Sequence, residues 1–71
     1  MKEIKGYWRK NSAYGSTVSV LIEDEEAMRA NLMREMSGWS VEDAVRKFNK
    51  RLEFFGYKIT ETEHWIGDYY A

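Results

Sequence analysis

Apolar residues recur at helical spacing between residues 40 and 56, and the segment carries both a start and a stop signal. Ser40 suits the N-cap position, and Asp43 follows three residues later in the pattern of a capping box. Gly56 suits the left-handed position that ends a helix. The pattern predicts a helix over about residues 41–55 with one buried stripe, made of Val41, Val45, Phe48, Leu52 and Phe55.

A second amphipathic segment precedes this helix. Asp24 can cap it, and acidic residues follow in the first turn, where the helix dipole favours negative charge. Apolar residues then recur every four positions, at Met28, Leu32 and Met36. Gly38 and Trp39 read as a Schellman-type stop, with Trp39 folding back onto the helix. The sequence therefore predicts a helix over about residues 24–36.

The remaining segments alternate with the period of two that is typical of strands. Residues 2–9 place Ile4 and Trp8 on one side, and residues 17–22 place their branched apolar residues on one side. We expect these two segments to form a hairpin, with Tyr14 at the tip of the connection. Residues 57–66 are rich in Tyr, Ile, Thr and Trp and predict a third strand.

The elements predict one α+β domain over residues 1–71, in the order ββααβ. We expect a three-stranded, mostly antiparallel sheet with two helices packed on one face. Antiparallel pairs outnumber parallel pairs, so we expect the third strand beside the second. A mixed sheet with the first strand in the centre remains an alternative.

The composition of the chain argues against several classes of function. The 71 residues include no Cys and one His, so neither a disulfide framework nor a thiolate zinc site is available. His64 and its neighbouring carboxylates lack metal-ligand spacing, and we expect no metal or cofactor. No nucleophile motif or glycine-rich phosphate loop is present, which predicts a non-enzymatic protein. The start of the chain lacks a signal-peptide pattern and no stretch could span a bilayer, so the expected compartment is cytoplasmic.

Aromatic residues exceed what one small core can bury, since the chain holds three Trp, five Tyr and three Phe. Exposed aromatics are typical of interface hot spots, although Trp and Tyr are often half-buried in a core edge. We therefore predict a protein-interaction module, acting by occlusion as an adaptor, regulator or stoichiometric inhibitor, with a homodimer as one form. The predicted anchors are Trp8, Phe54, Tyr69 and Tyr70, with steering towards an acidic patch by Lys47, Lys50 and Arg51.

Nucleic-acid binding is the alternative. Lys47, Lys50, Arg51 and Phe54 fall at i, i+3, i+4 and i+7 and form a basic stripe, which Lys5, Arg9 and Lys10 would extend. Against this, the net charge is −1, and the same helix carries Glu42, Asp43 and Glu53. The strand over residues 2–9 could instead accept another chain at a sheet edge. The size and composition have the general look of accessory proteins encoded by phages or mobile elements.

Overall fold

A computed structural model describes residues 1–11 and 17–66 and has the α+β class that the sequence predicts. The sheet is mixed and has four strands in the order β3-β2-β1-β4, not three mostly antiparallel strands. Two helices pack on one of its faces. The elements are β1 (Lys2–Lys10), β2 (Val18–Ile22), α1 (Glu25–Asn31), β3 (Glu35–Gly38), α2 (Val41–Leu52), a 3₁₀ turn (Glu53–Phe55) and β4 (Tyr57–His64).

The predicted helix over residues 24–36 is wrong in its second half. Helix α1 ends at Asn31, and Leu32 adopts a left-handed conformation with φ 56°. The chain then returns as β3, which pairs antiparallel with β2 and places Met36 opposite Val20. A strand forms here because it supplies hydrogen bonds to an edge of β2 that would otherwise be unpaired. The predicted helix stop at Gly38 is therefore wrong as well, because Gly38 lies in β3.

The expected strand order, with the third predicted strand beside the second, is also wrong. The alternative with the first strand in the centre is correct. Strand β1 pairs antiparallel with β2 and parallel with β4. Because β3 occupies the other edge of β2, the strand after α2 cannot pair with β2, and it joins the sheet beside β1. The predicted use of residues 2–9 as an edge for another chain is excluded, since β1 is central and β3 and β4 are the edges.

The core lies between the sheet and the two helices. Phe48 and Leu52 of α2 are fully buried, whereas Val41 and Val45 are only partly buried. Phe55 was expected on the same stripe but is 44% exposed. The chain tightens into a 3₁₀ turn after Leu52, and this changes the angular step between residues and swings Phe55 off the stripe. The other core residues are Ile4, Val20, Ile22, Ala27, Ala44 and Ile59.

Both helices begin with side-chain caps. The Ala27 N–H donates to Asp24 (3.0 Å), and the Asp43 N–H donates to Ser40 (3.1 Å). The Asp43 carboxylate accepts from the Trp39 N–H (3.0 Å), one residue before the position in a standard capping box. This bond holds the pKa of Asp43 below its usual value. The caps fix where α1 and α2 start, and so which side chains each helix presents.

An ion-pair cluster joins the start of β1 to the start of α1. Lys2 Nζ lies 3.0 Å from both Asp24 and Glu26. These bonds raise the pKa of Lys2, chiefly because its ammonium donates to Asp24. The Lys2 backbone N–H donates to the Gly56 carbonyl (2.8 Å), so the start of β1 also meets the end of the 3₁₀ turn.

Candidate functional site

The turn that ends α2 turns two aromatic side chains towards solvent. Phe54 is 88% exposed and Phe55 is 44% exposed. The 3₁₀ turn closes on Gly56, whose φ is 89° and whose N–H donates to the Glu53 carbonyl (3.3 Å). A glycine suits this left-handed position, and it lets the chain reverse directly into β4. The exposure of both rings therefore follows from the local backbone.

A concavity of about 610 Å³ lies beside these rings. We call its lining the α2-end surface, formed by Lys47, Lys50, Arg51, Phe54 and Phe55. Four of the seven predicted contact residues thus lie together, because their spacing along α2 places them on one side of the helix. The volume is in the range of ligand pockets, although the concavity is open.

Arg51 is held in place from the opposite helix. Its guanidinium donates to the backbone carbonyl of Asn31 through Nε (3.1 Å) and Nη2 (2.5 Å), and from Nε to the Asn31 side chain. Asn31 is fully buried, and its amide also donates to the Ala27 carbonyl. On its other side, the guanidinium carbon lies 6.0 Å from the centre of the Phe55 ring. The contacts fix Arg51 between the end of α1 and Phe55.

The cations of the α2-end surface differ in their ionic partners. Lys47 lies 3.4 Å from Asp43, so its charge is shared with a carboxylate of the same helix. Lys50 and Arg51 form no ion pair within residues 1–11 and 17–66. Glu53, which is exposed, follows them on the turn. The surface therefore carries, beside two aromatic rings, two positive charges that no described carboxylate pairs with, and we call these charges uncompensated.

Trp8 lies apart from this surface. It is half-buried against the core, and its ring centre is 4.5 Å from that of His64. Strand β1 meets the 3₁₀ turn at Lys2, and Trp8 is six residues further along, which corresponds to roughly 20 Å of extended chain. The other two predicted anchors, Tyr69 and Tyr70, and the predicted loop residue Tyr14 lie outside the described residues.

Two of the three cations proposed to extend the basic stripe, Lys5 and Arg9, do not continue it. Lys5 and Arg9 alternate with Ile4 and Trp8 along β1, so they lie on the sheet face opposite the helices. Lys5 donates to Glu63 (3.1 Å), which raises the pKa of its ammonium, and Arg9 donates to Glu35 (3.3 Å). Both therefore have carboxylate partners and are separated from α2 by the sheet.

Two residues near the site were assigned to the core by the sequence pattern. Phe55 lines the concavity, and Leu32 is 85% exposed. The adjacency of Phe54 and Phe55 is a signal that could have indicated an exposed ring, because neighbouring residues on a helix point about 100° apart. Leu32 offers no such signal, since its spacing from Met28 and Met36 fits a continuous helix.

A second concavity, of about 310 Å³, lies between α2 and β4. Val41, Val45 and Ile59 contribute its apolar lining.

Beside this concavity, Asn49 closes the outer edge of β4 at Ile59. The Ile59 N–H donates to Asn49 Oδ1 (2.8 Å), and Asn49 Nδ2 donates to the Ile59 carbonyl (3.1 Å). Because Asn49 makes the bonds that a neighbouring strand would make, an added strand cannot pair at this position.

Within the described ranges, no group of three or more His, Asp or Glu side chains is placed to hold a metal ion. Neither α1 nor α2 has the length and apolar character required to cross a lipid bilayer. Comparisons of the whole chain with protein-family models, curated proteins and solved structures found no match in any of the three.

Proposed function

We propose that the protein is a non-enzymatic interaction module that docks onto another protein through the α2-end surface. It would act as an adaptor, regulator or stoichiometric inhibitor by covering part of its partner. The observation that carries this proposal is the pair of exposed rings, Phe54 and Phe55, beside a concavity with an uncompensated charge on each of two cations. Aromatic residues and Arg are the types enriched at the centres of protein interfaces.

The turn and the Arg51 side chain of the α2-end surface are held in place before a partner binds, which supports docking. Gly56 fixes the turn that holds the rings, and Asn31 fixes the guanidinium of Arg51. Groups that are ordered before binding lose little conformational freedom when a partner arrives, so more of the contact energy is retained as affinity. A protein partner with an apolar residue for the concavity would benefit from this order.

Nucleic-acid binding remains the alternative, and the charge distribution favours it less. Affinity for nucleic acid depends on several neutralised phosphates. The α2-end surface offers two uncompensated cations, whereas Lys5 and Arg9 of β1 face the opposite side of the sheet and pair with carboxylates. The number of phosphates that one face could neutralise is therefore small.

Site-specific photocrosslinking in cells of the source organism tests the proposal. A photoreactive phenylalanine analogue replaces Phe54 in one variant and Trp39 in a matched control. Trp39 is 74% exposed and precedes α2, so it samples the opposite end of the same helix. We expect a nuclease-resistant protein adduct from position 54 and a much weaker one from position 39. Equal adducts from both positions, or adducts lost on nuclease treatment, would contradict a protein site at Phe54.

Truncation of the same side chains gives the second test. We expect Phe54→Ala to weaken capture of the crosslinked partner by tenfold or more, about 1.4 kcal/mol. Its thermal midpoint should stay unchanged, because the ring makes little contact with the core. Trp39→Ala should leave both quantities unchanged. A crosslink between two copies of the chain would identify the partner as a second copy, and sedimentation velocity would then show a dimer that Phe54→Ala dissociates.

A further inference from the structure

Leu32 is an exposed apolar residue in an unfavourable backbone conformation. It is 85% exposed, and it is the one residue other than glycine with positive φ among those described. A left-handed residue at the end of a helix is usually Gly or Asn, because in most other residues the Cβ atom lies too close to the following carbonyl oxygen. The fold therefore gains neither burial nor favourable backbone geometry from a leucine at this position.

Arg51 connects Leu32 to the α2-end surface. The Asn31 carbonyl that accepts from Arg51 belongs to the peptide bond between Asn31 and Leu32. The same guanidinium lies 6.0 Å from the Phe55 ring. The peptide bond before Leu32 and the ring of Phe55 thus both lie beside the Arg51 guanidinium, and the ends of α1 and α2 lie side by side. An exposed aliphatic residue here adds apolar area to a surface that already carries two exposed rings.

We infer that Leu32, Phe54 and Phe55 form the apolar part of one binding site, and that this site accepts an acidic amphipathic peptide segment. The inference rests on the proposed function and specifies its partner. An apolar side chain of the segment would pack among the three residues, and flanking Asp or Glu side chains would pair with Lys50 and Arg51. Such a segment matches both the apolar area and the uncompensated charge.

The donors that remain on Arg51 fit this role. Its bonds to Asn31 use Nε–H and Nη2, whereas a guanidinium has five N–H donors. The other donors are available to a carboxylate, in an orientation already fixed by Asn31. Lys50 adds an exposed ammonium one residue away. Because Asn31 already holds the guanidinium, Arg51 loses less side-chain freedom on binding a carboxylate than a lysine would.

Selection from a random 12-residue peptide display library tests the inference. The bait is the immobilised wild-type chain, and the enriched sequences are read by sequencing. We expect a consensus with Leu, Phe or Trp beside at least two acidic residues. The most enriched peptide is then synthesised with a fluorescent label, together with an uncharged analogue carrying Asn and Gln in place of Asp and Glu. Fluorescence anisotropy should show at least tenfold weaker binding of that analogue.

Variants of the protein separate a binding role for Leu32 from a structural one. We expect Leu32→Gly to weaken binding of the labelled peptide at least fivefold while it raises the thermal midpoint by a few degrees. Lys50→Glu should weaken binding at least tenfold, whereas Trp39→Ala should leave it unchanged. A Leu32→Gly protein that is more stable and binds with wild-type affinity would overturn the assignment of Leu32 to the site.

The outcomes also separate this inference from the proposed function. A consensus without acidic residues that still needs Phe54 would overturn the acidic segment and leave the docking surface intact. Peptides that bind equally well to Phe54→Ala would contradict both. If no peptide is enriched, the inference of a linear segment fails, and photocrosslinking at position 54 still decides whether a folded protein docks there.

Discussion

Asn49→Ala tests the closure of the β4 edge. Asn49 makes two hydrogen bonds to the backbone of Ile59, of 2.8 and 3.1 Å, from a helix that otherwise packs on the face of the sheet. The substitution removes both bonds without changing the Ile59 side chain, which is 3% exposed and packs in the core. It therefore isolates the contribution of the two bonds at the edge strand.

The expected loss is about 1–3 kcal/mol. A typical intramolecular hydrogen bond contributes about 0.5–1.5 kcal/mol net, and two are removed. A chain of 71 residues has an unfolding free energy of roughly 4–11 kcal/mol. The substitution should therefore remove a substantial share of the stability. The thermal midpoint should fall by about 4–8 °C for each kcal/mol lost in a domain of this size.

Urea unfolding monitored by circular dichroism measures the free energy, with Lys50→Ala as the matched control. Lys50 is the next residue on α2 and makes no ion pair with a described residue, so its truncation should cost less than about 0.5 kcal/mol. Amide hydrogen exchange gives a local reading, because the Ile59 N–H loses its acceptor and should exchange faster. A loss below about 0.5 kcal/mol in Asn49→Ala, with unchanged exchange at Ile59, would refute the reasoning.

Four further substitutions, in β3, in the turn after α2 and at the two ends of α1, give stability predictions that are each measured by urea or thermal unfolding. Gly38→Ala should cost about 2 kcal/mol or more, because a Cβ at residue 38 would lie 2.7 Å from a backbone nitrogen of α2. Gly56→Ala should cost only about 1 kcal/mol, for its left-handed φ, since no atom lies within 4 Å of a Cβ at residue 56. Asn31→Ala should cost about 2 kcal/mol, because it removes a buried amide that bonds to Arg51 and to α1, and an unchanged midpoint would contradict that role. Asp24→Ala should cost about 1 kcal/mol of unfolding free energy at pH 7, because the pKa of Asp24 is lowered by the N–H bond that its carboxylate accepts and then by Lys2. This stability is present above the unfolded pKa of about 3.9 and is lost as the pH falls through the lower folded value. A stability difference from wild type that persists at pH 2 would refute this prediction.

Helix α2 and the clustering of its basic residues could be predicted because their signals are local. Ser40 and Gly56 mark the limits of the segment, and a spacing of three and four residues places Lys47, Lys50, Arg51 and Phe54 on one side of a helix. The same holds for the pairing of β1 with β2, since each strand alternates and a short connection joins them. None of these features depends on contacts with distant parts of the chain.

Residues 32–38 could not be assigned from the sequence because non-local pairing decides their structure. Met28, Leu32 and Met36 recur every four residues, which fits a helix, and Met36 fits a four-residue strand equally well. The unpaired edge of β2 decides in favour of the strand, and this edge is formed by residues 14 or more positions earlier in the chain. The position of Trp8 depends in the same way on the pairing of β1 with β4.

The early end of α1 and the construction of the α2-end surface are physically linked. In a helix continued to residue 36, the Asn31 carbonyl would accept from the N–H of residue 35. Because α1 ends at Asn31, this carbonyl is one of those left without a partner inside the helix, and Arg51 satisfies it from 20 residues away. The bond holds the guanidinium beside Phe55. The left-handed Leu32 that ends α1 thus creates the acceptor that positions Arg51, and the local cost of its conformation is tied to the order of the proposed docking surface.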